Sequence, residues 1–212
     1  MIALILAGGK GSRLEPWHAP KCLLPVAGVP ILHRLFNHLA PHIEKAVACV
    51  GYRSDDVRLS LPVHWQYPHC LISDAGEDAT MIERLLYAKP TKRALVCYGD
   101  ELADVDIPEL VKDHERSKAM MTMTSHIERL PFGVFDSGRI MEGKHVSVNI
   151  GFAIVEPHAW KYAEGCSGLS DFFNKLTWCV DGMTSVNVYE HHGKRATINN
   201  PSDIAKAEEL FK

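Results

Sequence analysis

The sequence lacks several patterns that mark particular classes of protein. None of its six cysteines forms a C-x-x-C pair, so a zinc knuckle is not indicated. No apolar run approaches the roughly 20 residues that a transmembrane helix requires, and Met1 leads directly into an apolar segment without the basic stretch of a signal peptide. No block rich in Lys and Arg is present, which argues against duplex nucleic acid as a partner. These absences favour a protein of the reducing cytoplasm that has neither a membrane nor a nucleic acid as its partner.

The chain also lacks internal repeats, linkers and low-complexity segments. Its 212 residues are enough to bury a core, so we predict one continuous domain over residues 1–212. The formal net charge is only -3. An anionic ligand would therefore be held by a few placed cations rather than by a broad positive field.

Apolar runs and helix-like segments alternate through the first half of the chain. The run IALIL at residues 2–6 is typical of a strand that is buried on both faces. Further strands are predicted at 45–51, 62–67, 93–100 and 120–125, and helices at 30–39, 80–88 and 108–116. This alternation predicts an α/β, Rossmann-like doubly wound fold with a mostly parallel sheet and helices on both faces.

The second half is more mixed. Turn signals interrupt residues 133–144, strand-like segments follow at 146–157, 184–190 and 195–199, and Ser170 and Asp171 could start a short helix. Asn200 and Pro201 have the residue types of an N-cap and a first helical position, so they predict a final helix.

Three glycines follow the first predicted strand: Gly8, Gly9 and Gly11. In a doubly wound sheet, ligands bind beyond the carboxyl ends of the strands, and glycines allow backbone N–H groups to approach phosphates closely. The loop is neither a Walker A loop nor a Rossmann fingerprint, because its spacing is G-G-x-G. On its own, this loop fits either a tight structural turn or a phosphate site.

Two cations follow the glycines, namely Arg13 and Lys21. Nucleotidyl transfer requires one positive charge to hold the departing pyrophosphate and another to neutralise the α-phosphate under attack. The order LAGGKGSRL…PKCLLPVAGVPIL over residues 6–32 resembles the signature of the sugar-phosphate nucleotidyltransferase family.

That resemblance implies the nucleotide-diphospho-sugar transferase fold and a Mg²⁺-dependent transfer from an NTP to a sugar-1-phosphate. It implies that Arg13 binds the β- and γ-phosphates and that Lys21 binds the α-phosphate. Residues 1–125 would form the nucleotide-binding half. The implied nucleotide contacts come from Leu6, Ala7, Gly8, Gly9, Gly11, Arg13, Lys21, Gly76 and Thr80. The loop before Lys21 is shorter than the family's, and Trp17 within it could either shield the triphosphate or pack.

The resemblance also implies a metal site. Asp100 ends a predicted strand in a Gly-Asp pair, as the family's metal-binding aspartate does, and Asn199 aligns with the second ligand near the end of the chain. Mg²⁺ prefers such hard oxygen donors. Asp203 is a fallback, but its place in a first helical turn favours support of the helix N-terminus. Glu101, Asp104 and Asp106 are expected to be loop and cap residues.

The implied sugar-phosphate-binding half is residues 126–212. Asn149 and Gly151 are similar to an N-x-G segment of the family that contacts sugar hydroxyls. Lys144 occupies roughly the place of a lysine that contacts the sugar phosphate. The alternative for Lys144 is a solvated lysine in a turn.

Residues 74–85 and 98–107 resemble the corresponding segments of glucose-1-phosphate cytidylyltransferases, which favours CTP. Ile82 and Glu83 replace two glycines of that subgroup, and we expect side chains there to crowd the ligand. That crowding and the shorter chain leave other substrates open, namely a different sugar, another polyol phosphate, UTP or GTP.

Two other functions remain open. One is nucleotidyl transfer to phosphocholine or a molybdopterin. A cation box for choline could use Trp160, Tyr162 and Trp178, although scattered aromatics are expected in the core. The other is a non-catalytic nucleotide-sugar-binding protein, against which Arg13, Lys21 and Asp100 argue as a set. Homo-oligomers are usual in the family, so a homo-oligomer is a possible assembly, although no segment of the sequence marks an interface.

Overall fold

The computed structural model describes residues 1–14, 16–61, 69–129, 134–136, 139–141, 145–178 and 185–212. Within these ranges the strands are β1 (Ile2–Leu6), β2 (Pro25–Val26), β3 (Val29–Pro30), β4 (Lys45–Val50), β5 (His69–Asp74), β6 (Ala94–Tyr98), β7 (Glu101–Ala103), β8 (Met121–Arg129), β9 (Val134–Asp136), β10 (Arg139–Met141), β11 (His145–Val155), β12 (Val186–Glu190) and β13 (Arg195–Thr197). The α-helices are α1 (Ile31–Leu39), α2 (Ser54–Ser60), α3 (Met81–Tyr87), α4 (Ile107–Ser117), α5 (Leu169–Trp178) and α6 (Pro201–Leu210).

A seven-stranded sheet with the order β12-β8-β11-β6-β1-β4-β5 forms the centre of the fold. Its neighbouring strands pair in parallel, except that β11 is antiparallel to both β6 and β8. The predicted α/β class with a mostly parallel sheet is therefore confirmed. The antiparallel strand comes from the second half of the chain, so that half completes the same sheet.

Strand β1 shows why the sheet is buried on both faces. Ala3 and Ile5 pack into one core layer, and Leu4 and Leu6 pack into the other, as the two-residue period of a strand requires. Apolar residues of α1, α4 and α6 cover the first face. Residues of α3 and α5 cover the second. The helices thus flank both faces of the sheet, as predicted.

Most predicted elements of the first half are present within a few residues of their expected bounds. The predicted strand at 62–67 lies outside the described residues, and β5 is a strand that the sequence reading did not predict. The final helix is confirmed together with its cap, since the side chain of Asn200 accepts from the Ser202 backbone N–H at 3.0 Å and Pro201 occupies the first turn.

Two further sequence expectations concern cysteines and membranes. Cys49 and Cys97 are fully buried free thiols in the core, as expected. Cys179 lies outside the described residues. Among the helices that the structure describes, none is long and apolar enough to cross a bilayer.

Candidate functional site

The site lies where strands β1 and β6 end side by side. These two strands are parallel neighbours, with Leu6 opposite Tyr98, so the glycine loop and Asp100 emerge at the same edge of the sheet. The Gly99 N–H donates to the Leu6 carbonyl at 3.0 Å. The Lys21 N–H donates to the Gly9 carbonyl at 3.3 Å, which places Lys21 against the glycine loop.

Four of the predicted site residues form one charged cluster at this edge. The Lys21 ammonium lies 2.7 Å from Asp100 Oδ2 and 3.2 Å from Asn199 Oδ1. Arg13 Nη2 donates to the same Asn199 oxygen at 3.2 Å. The Lys21 side chain is only 12% exposed, so its charge acts in a partly desolvated place. Arg13, Lys21, Asp100 and Asn199 therefore meet, although they come from the beginning, the middle and the end of the chain.

A short antiparallel ribbon brings Asn199 to the cluster. Strand β13 pairs with β7, and beyond it the Ile198 N–H donates to the Asp100 carbonyl at 2.9 Å. The Asp203 carboxylate accepts from the Asn199 N–H at 2.8 Å and from the Asn200 N–H at 3.0 Å. Asp203 thus supports the N-terminus of α6, as the sequence predicts.

The expectation that Glu101 is a loop or cap residue is wrong. Glu101 begins β7, and its carboxylate is buried against Arg195 and Thr197. Burial raises the pKa of Glu101, while the hydrogen bond from Thr197 and the charge of Arg195 act in the opposite direction. Asp106 does cap a helix, because it accepts from the Glu109 N–H at the start of α4.

A cleft of about 490 Å³ opens beside the cluster. It is lined by seven of the residues predicted for the site: Leu6, Ala7, Gly8, Gly9, Lys21, Thr80 and Asp100. Six more residues line it as well: Cys22, Ala79, Met81, Arg84, Tyr98 and Gly99. Three predicted nucleotide contacts are not among its described lining residues: Gly11, Arg13 and Gly76. The carbonyl of Gly76 instead accepts from Arg84 at 2.9 Å.

Arg84 is a lining residue that the sequence reading missed as a site residue. Its side chain is buried, and it donates to the backbone carbonyls of Val50, Gly76 and Glu77. A Cβ at Gly8 would lie 2.5 Å from the guanidinium, so this cation packs directly against the glycine loop. The available signal was its position within residues 74–85, the segment that resembles cytidylyltransferases.

The expected crowding by Ile82 and Glu83 is wrong. Ile82 is 1% exposed and points into the core beside Leu4 and Leu85, because it lies on the inner face of α3. Glu83 accepts from the Thr80 N–H at 2.7 Å in a capping box. Neither side chain lines the cleft. Thr80 both lines the cleft and caps α3.

Asn149 and Gly151, which the sequence predicts as sugar contacts, lie on β11 at the end of β6. The Asn149 side chain donates to the Tyr98 hydroxyl at 3.2 Å, and its carbonyl oxygen accepts from the Gly151 N–H at 3.0 Å. Burial raises the pKa of Tyr98. Since Tyr98 lines the cleft, this predicted pair adjoins the same site. Lys144 lies outside the described residues.

The tryptophans Trp17 and Trp160 pack against other residues of the protein. Trp17 packs on the core, and its indole N–H donates to the Pro20 carbonyl at 3.4 Å. Trp160 is buried and stacks on Phe172 with the ring centroids 5.6 Å apart. These contacts do not support a cation box. The side chain of Trp178 lies outside the described part of the chain.

The oxygen donors of the cluster fit a hard cation. Asp100 Oδ2 and Asn199 Oδ1 both contact the Lys21 ammonium, so the two oxygens converge on one positive charge. A carboxylate and an amide oxygen are suitable donors for Mg²⁺, which keeps most of its water and phosphate ligands. Across the described residues, no group of three or more His, Cys, Asp or Glu could hold a metal.

Two nucleotidyltransferases are among the known proteins that this chain resembles in sequence. The chain is 26% identical over 194 residues to a glucose-1-phosphate cytidylyltransferase of Salmonella typhimurium, covering 74% of this chain and 76% of the relative. It is 30% identical over 132 residues to a mannose-1-phosphate guanylyltransferase of Mycobacterium tuberculosis, covering 57% of this chain and 36% of that protein.

The fold matches solved structures over nearly the whole chain. A proposed glucose-1-phosphate thymidylyltransferase from Bacillus anthracis superimposes with a TM-score of 0.78 at 20% identity, covering 99% of this chain and 95% of that one. The model of the MobA-like NTP transferase domain matches residues 3–141. The chain therefore belongs to the family of MobA-like NTP transferase domains.

Proposed function

We propose that this protein is a sugar-1-phosphate nucleotidyltransferase, which joins an NTP to a sugar-1-phosphate and releases pyrophosphate. The observation that carries the proposal is the cluster of Arg13, Lys21, Asp100 and Asn199 beside the glycine loop. The relatives named above, whose activities are of this type, support it.

The charges of the cluster suit the reaction. Two anionic substrates meet in such a site, namely the triphosphate and the sugar phosphate, and negative charge develops on the pyrophosphate as it leaves the triphosphate. Lys21 lines the cleft, where it can neutralise the α-phosphate, and Arg13 donates to the same Asn199 oxygen as Lys21 and is proposed for the β- and γ-phosphates. The backbone N–H groups of the glycine loop add neutral donors for the phosphates.

The chemistry needs no covalent enzyme intermediate. An oxygen of the sugar phosphate attacks the α-phosphorus, a new P–O bond forms, and the bond to the bridging oxygen of the β-phosphate breaks. The attacking oxygen is already anionic at neutral pH, so no general base is required. Catalysis by these residues consists of positioning the two anions and neutralising their charge.

We propose that Asp100 and Asn199 hold Mg²⁺. Bound there, the ion supplies positive charge to phosphate oxygens of the nucleotide. An aspartate and an asparagine leave most coordination positions to phosphate and water, which is the usual arrangement for this ion.

CTP is the favoured nucleotide. The resemblance of residues 74–85 and 98–107 to cytidylyltransferases supports it, as does the Salmonella relative. Ile82 and Glu83 turn away from the cleft, so they do not crowd a ligand there. The objection to a cytidylyltransferase therefore no longer holds. GTP is the alternative suggested by the mycobacterial relative.

We assign residues 1–125 to the nucleotide side and residues 126–212 to the sugar-phosphate side of one domain. Asn149, Gly151 and Lys144 are the proposed acceptor contacts. A homo-oligomer and a cytoplasmic location remain predictions from the sequence.

The test is pyrophosphate release in the presence of Mg²⁺, with CTP, UTP, GTP, ATP and dTTP each paired with a panel of sugar-1-phosphates. We expect release with CTP and a sugar-1-phosphate, and its loss when EDTA removes the metal. Release with another pair would keep the reaction and change the specificity. No release with any pair would overturn the proposal.

A further inference from the structure

Beside the charged cluster, three side chains close a hydrogen-bonded ring. Arg195 Nε donates to Glu101 Oε1 at 2.9 Å, and Arg195 Nη2 donates to the hydroxyl of Thr197. That hydroxyl donates in turn to Glu101 Oε2. The side chains of Glu101 and Arg195 are only 3% and 13% exposed. A buried polar ring of this kind is rigid when every member has its hydrogen-bond partners. Removing one member leaves the others with unpaired polar groups.

The charges of this ring exclude a direct role in binding phosphate. Arg195 pairs with two carboxylates, because Glu128 on β8 contacts it in addition to Glu101. No positive charge is left over for an anionic ligand. The contact with Glu128 instead ties the ribbon of β7 and β13 to the central sheet.

The ring lies directly next to the two proposed metal ligands on the ribbon. Glu101 directly follows Asp100, Thr197 is opposite Glu101 in the register, and Asn199 comes two residues after Thr197. The backbone bond from the Ile198 N–H to the Asp100 carbonyl continues the pairing to the ligands themselves. Any slip of β13 against β7 would therefore change the distance between Asn199 and Asp100.

We propose that Glu101, Thr197 and Arg195 are positioning residues that fix the Asn199 oxygen relative to the Asp100 carboxylate, so that both can hold one divalent cation. The inference rests on the proposed function for the identity of the ion, but its test is independent of turnover. Residues that orient metal ligands typically cost about 10- to 100-fold in metal affinity when they are changed.

The experiment compares the binding of Mn²⁺ alone to the wild type and to variants of the whole chain, followed by electron paramagnetic resonance of the free ion. Thr197→Val removes the hydroxyl at nearly constant volume, and Thr197→Ser restores it. Glu101→Gln keeps the shape of the ring while it removes one charge, so it gives the same comparison if Thr197→Val does not fold.

The matched control is Glu156→Gln at the opposite end of the sheet. Glu156 accepts from Arg93 Nε at 2.7 Å and from His114 Nε2 at 3.1 Å, so it is also a partly buried carboxylate with two donors. It follows β11 next to the start of β6, whereas Asp100 follows the end of β6. The control therefore reports the general cost of breaking such a network.

We expect Thr197→Val to raise the Mn²⁺ dissociation constant by about tenfold or more. Thr197→Ser should have a dissociation constant within about twofold of the wild-type value. Glu156→Gln should leave the dissociation constant unchanged. Unchanged Mn²⁺ affinity in Thr197→Val or Glu101→Gln would overturn the inference, and so would a wild type that binds no Mn²⁺. Mn²⁺ binding without pyrophosphate release in the wild type would overturn only the proposed function.

Discussion

Replacing Gly99 by alanine tests whether the close approach of β1 and β6 sets the geometry of the site. A Cβ at this position would lie 2.3 Å from the Leu6 carbonyl oxygen and 3.3 Å from Ala7 Cα. Both obstacles are backbone atoms, which cannot rotate away. The strand ends must separate by roughly 1 Å before these atoms reach van der Waals contact.

That separation has two measurable costs. Overpacking of a rigid contact typically costs about 1–3 kcal/mol, which for a domain of this size lowers Tm by roughly 2–12 °C. It also moves Asp100 away from the glycine loop, and a misplacement of about 1 Å can lower kcat on the order of 10²-fold. Thermal unfolding and initial rates of pyrophosphate release measure the two effects separately.

Gly9→Ala is the matched control for stability, because a Cβ there meets no heavy atom within 4 Å. We expect its Tm to equal or slightly exceed that of the wild type, since alanine restricts the unfolded chain. A Gly99→Ala protein with wild-type Tm and wild-type kcat would refute the reasoning.

Three further predictions follow from the site and the core. Lys21→Ala should lower kcat by about 10²-fold or more, because it removes the proposed contact to the developing charge. Unchanged turnover of a folded variant would remove Lys21 from the mechanism. Ile82→Ala should lower the free energy of unfolding by about 2–5 kcal/mol, because it leaves a cavity in the core. The KM for the NTP should stay unchanged. A large change in KM would mean that Ile82 faces the ligand. Burial raises the pKa of the Cys22 thiol to about 12. Iodoacetamide at pH 8 should therefore leave Cys22 unmodified in the native protein and modify it in guanidinium, as measured by mass spectrometry. Rapid modification of the native protein would contradict the burial of Cys22.

The sequence could predict the parts of the site that lie directly after a strand or within a short loop of one. The glycine loop follows a short apolar run and Asp100 follows another, so parallel pairing of those runs is enough to bring them together. Lys21 then needs only the short loop that separates it from Gly9. Asn199 was placed by resemblance, and the structure shows why it arrives, because β13 pairs with β7.

The errors have equally specific causes. The crowding expected from Ile82 neglected the helical period, by which Ile82 and Leu85 share the inner face of α3. Thr80 and Glu83 also fit the spacing of a capping box, which fixes where that helix begins. The burial of Glu101 could not be predicted from local sequence, since its partner Arg195 is 94 residues away.

Strand β11 divides into two halves of different character. Residues 145–149 alternate between exposed and half-buried, whereas residues 150–155 are all buried between β6 and β8. Because β11 runs against its neighbours, its open half reaches the edge where β6 ends, and its buried half anchors it in the core. The buried anchor of the strand and the proposed acceptor contact at Asn149 thereby lie in separate segments of β11. Substitutions at residues 145–149 would therefore test the proposed acceptor contacts while the core stays intact.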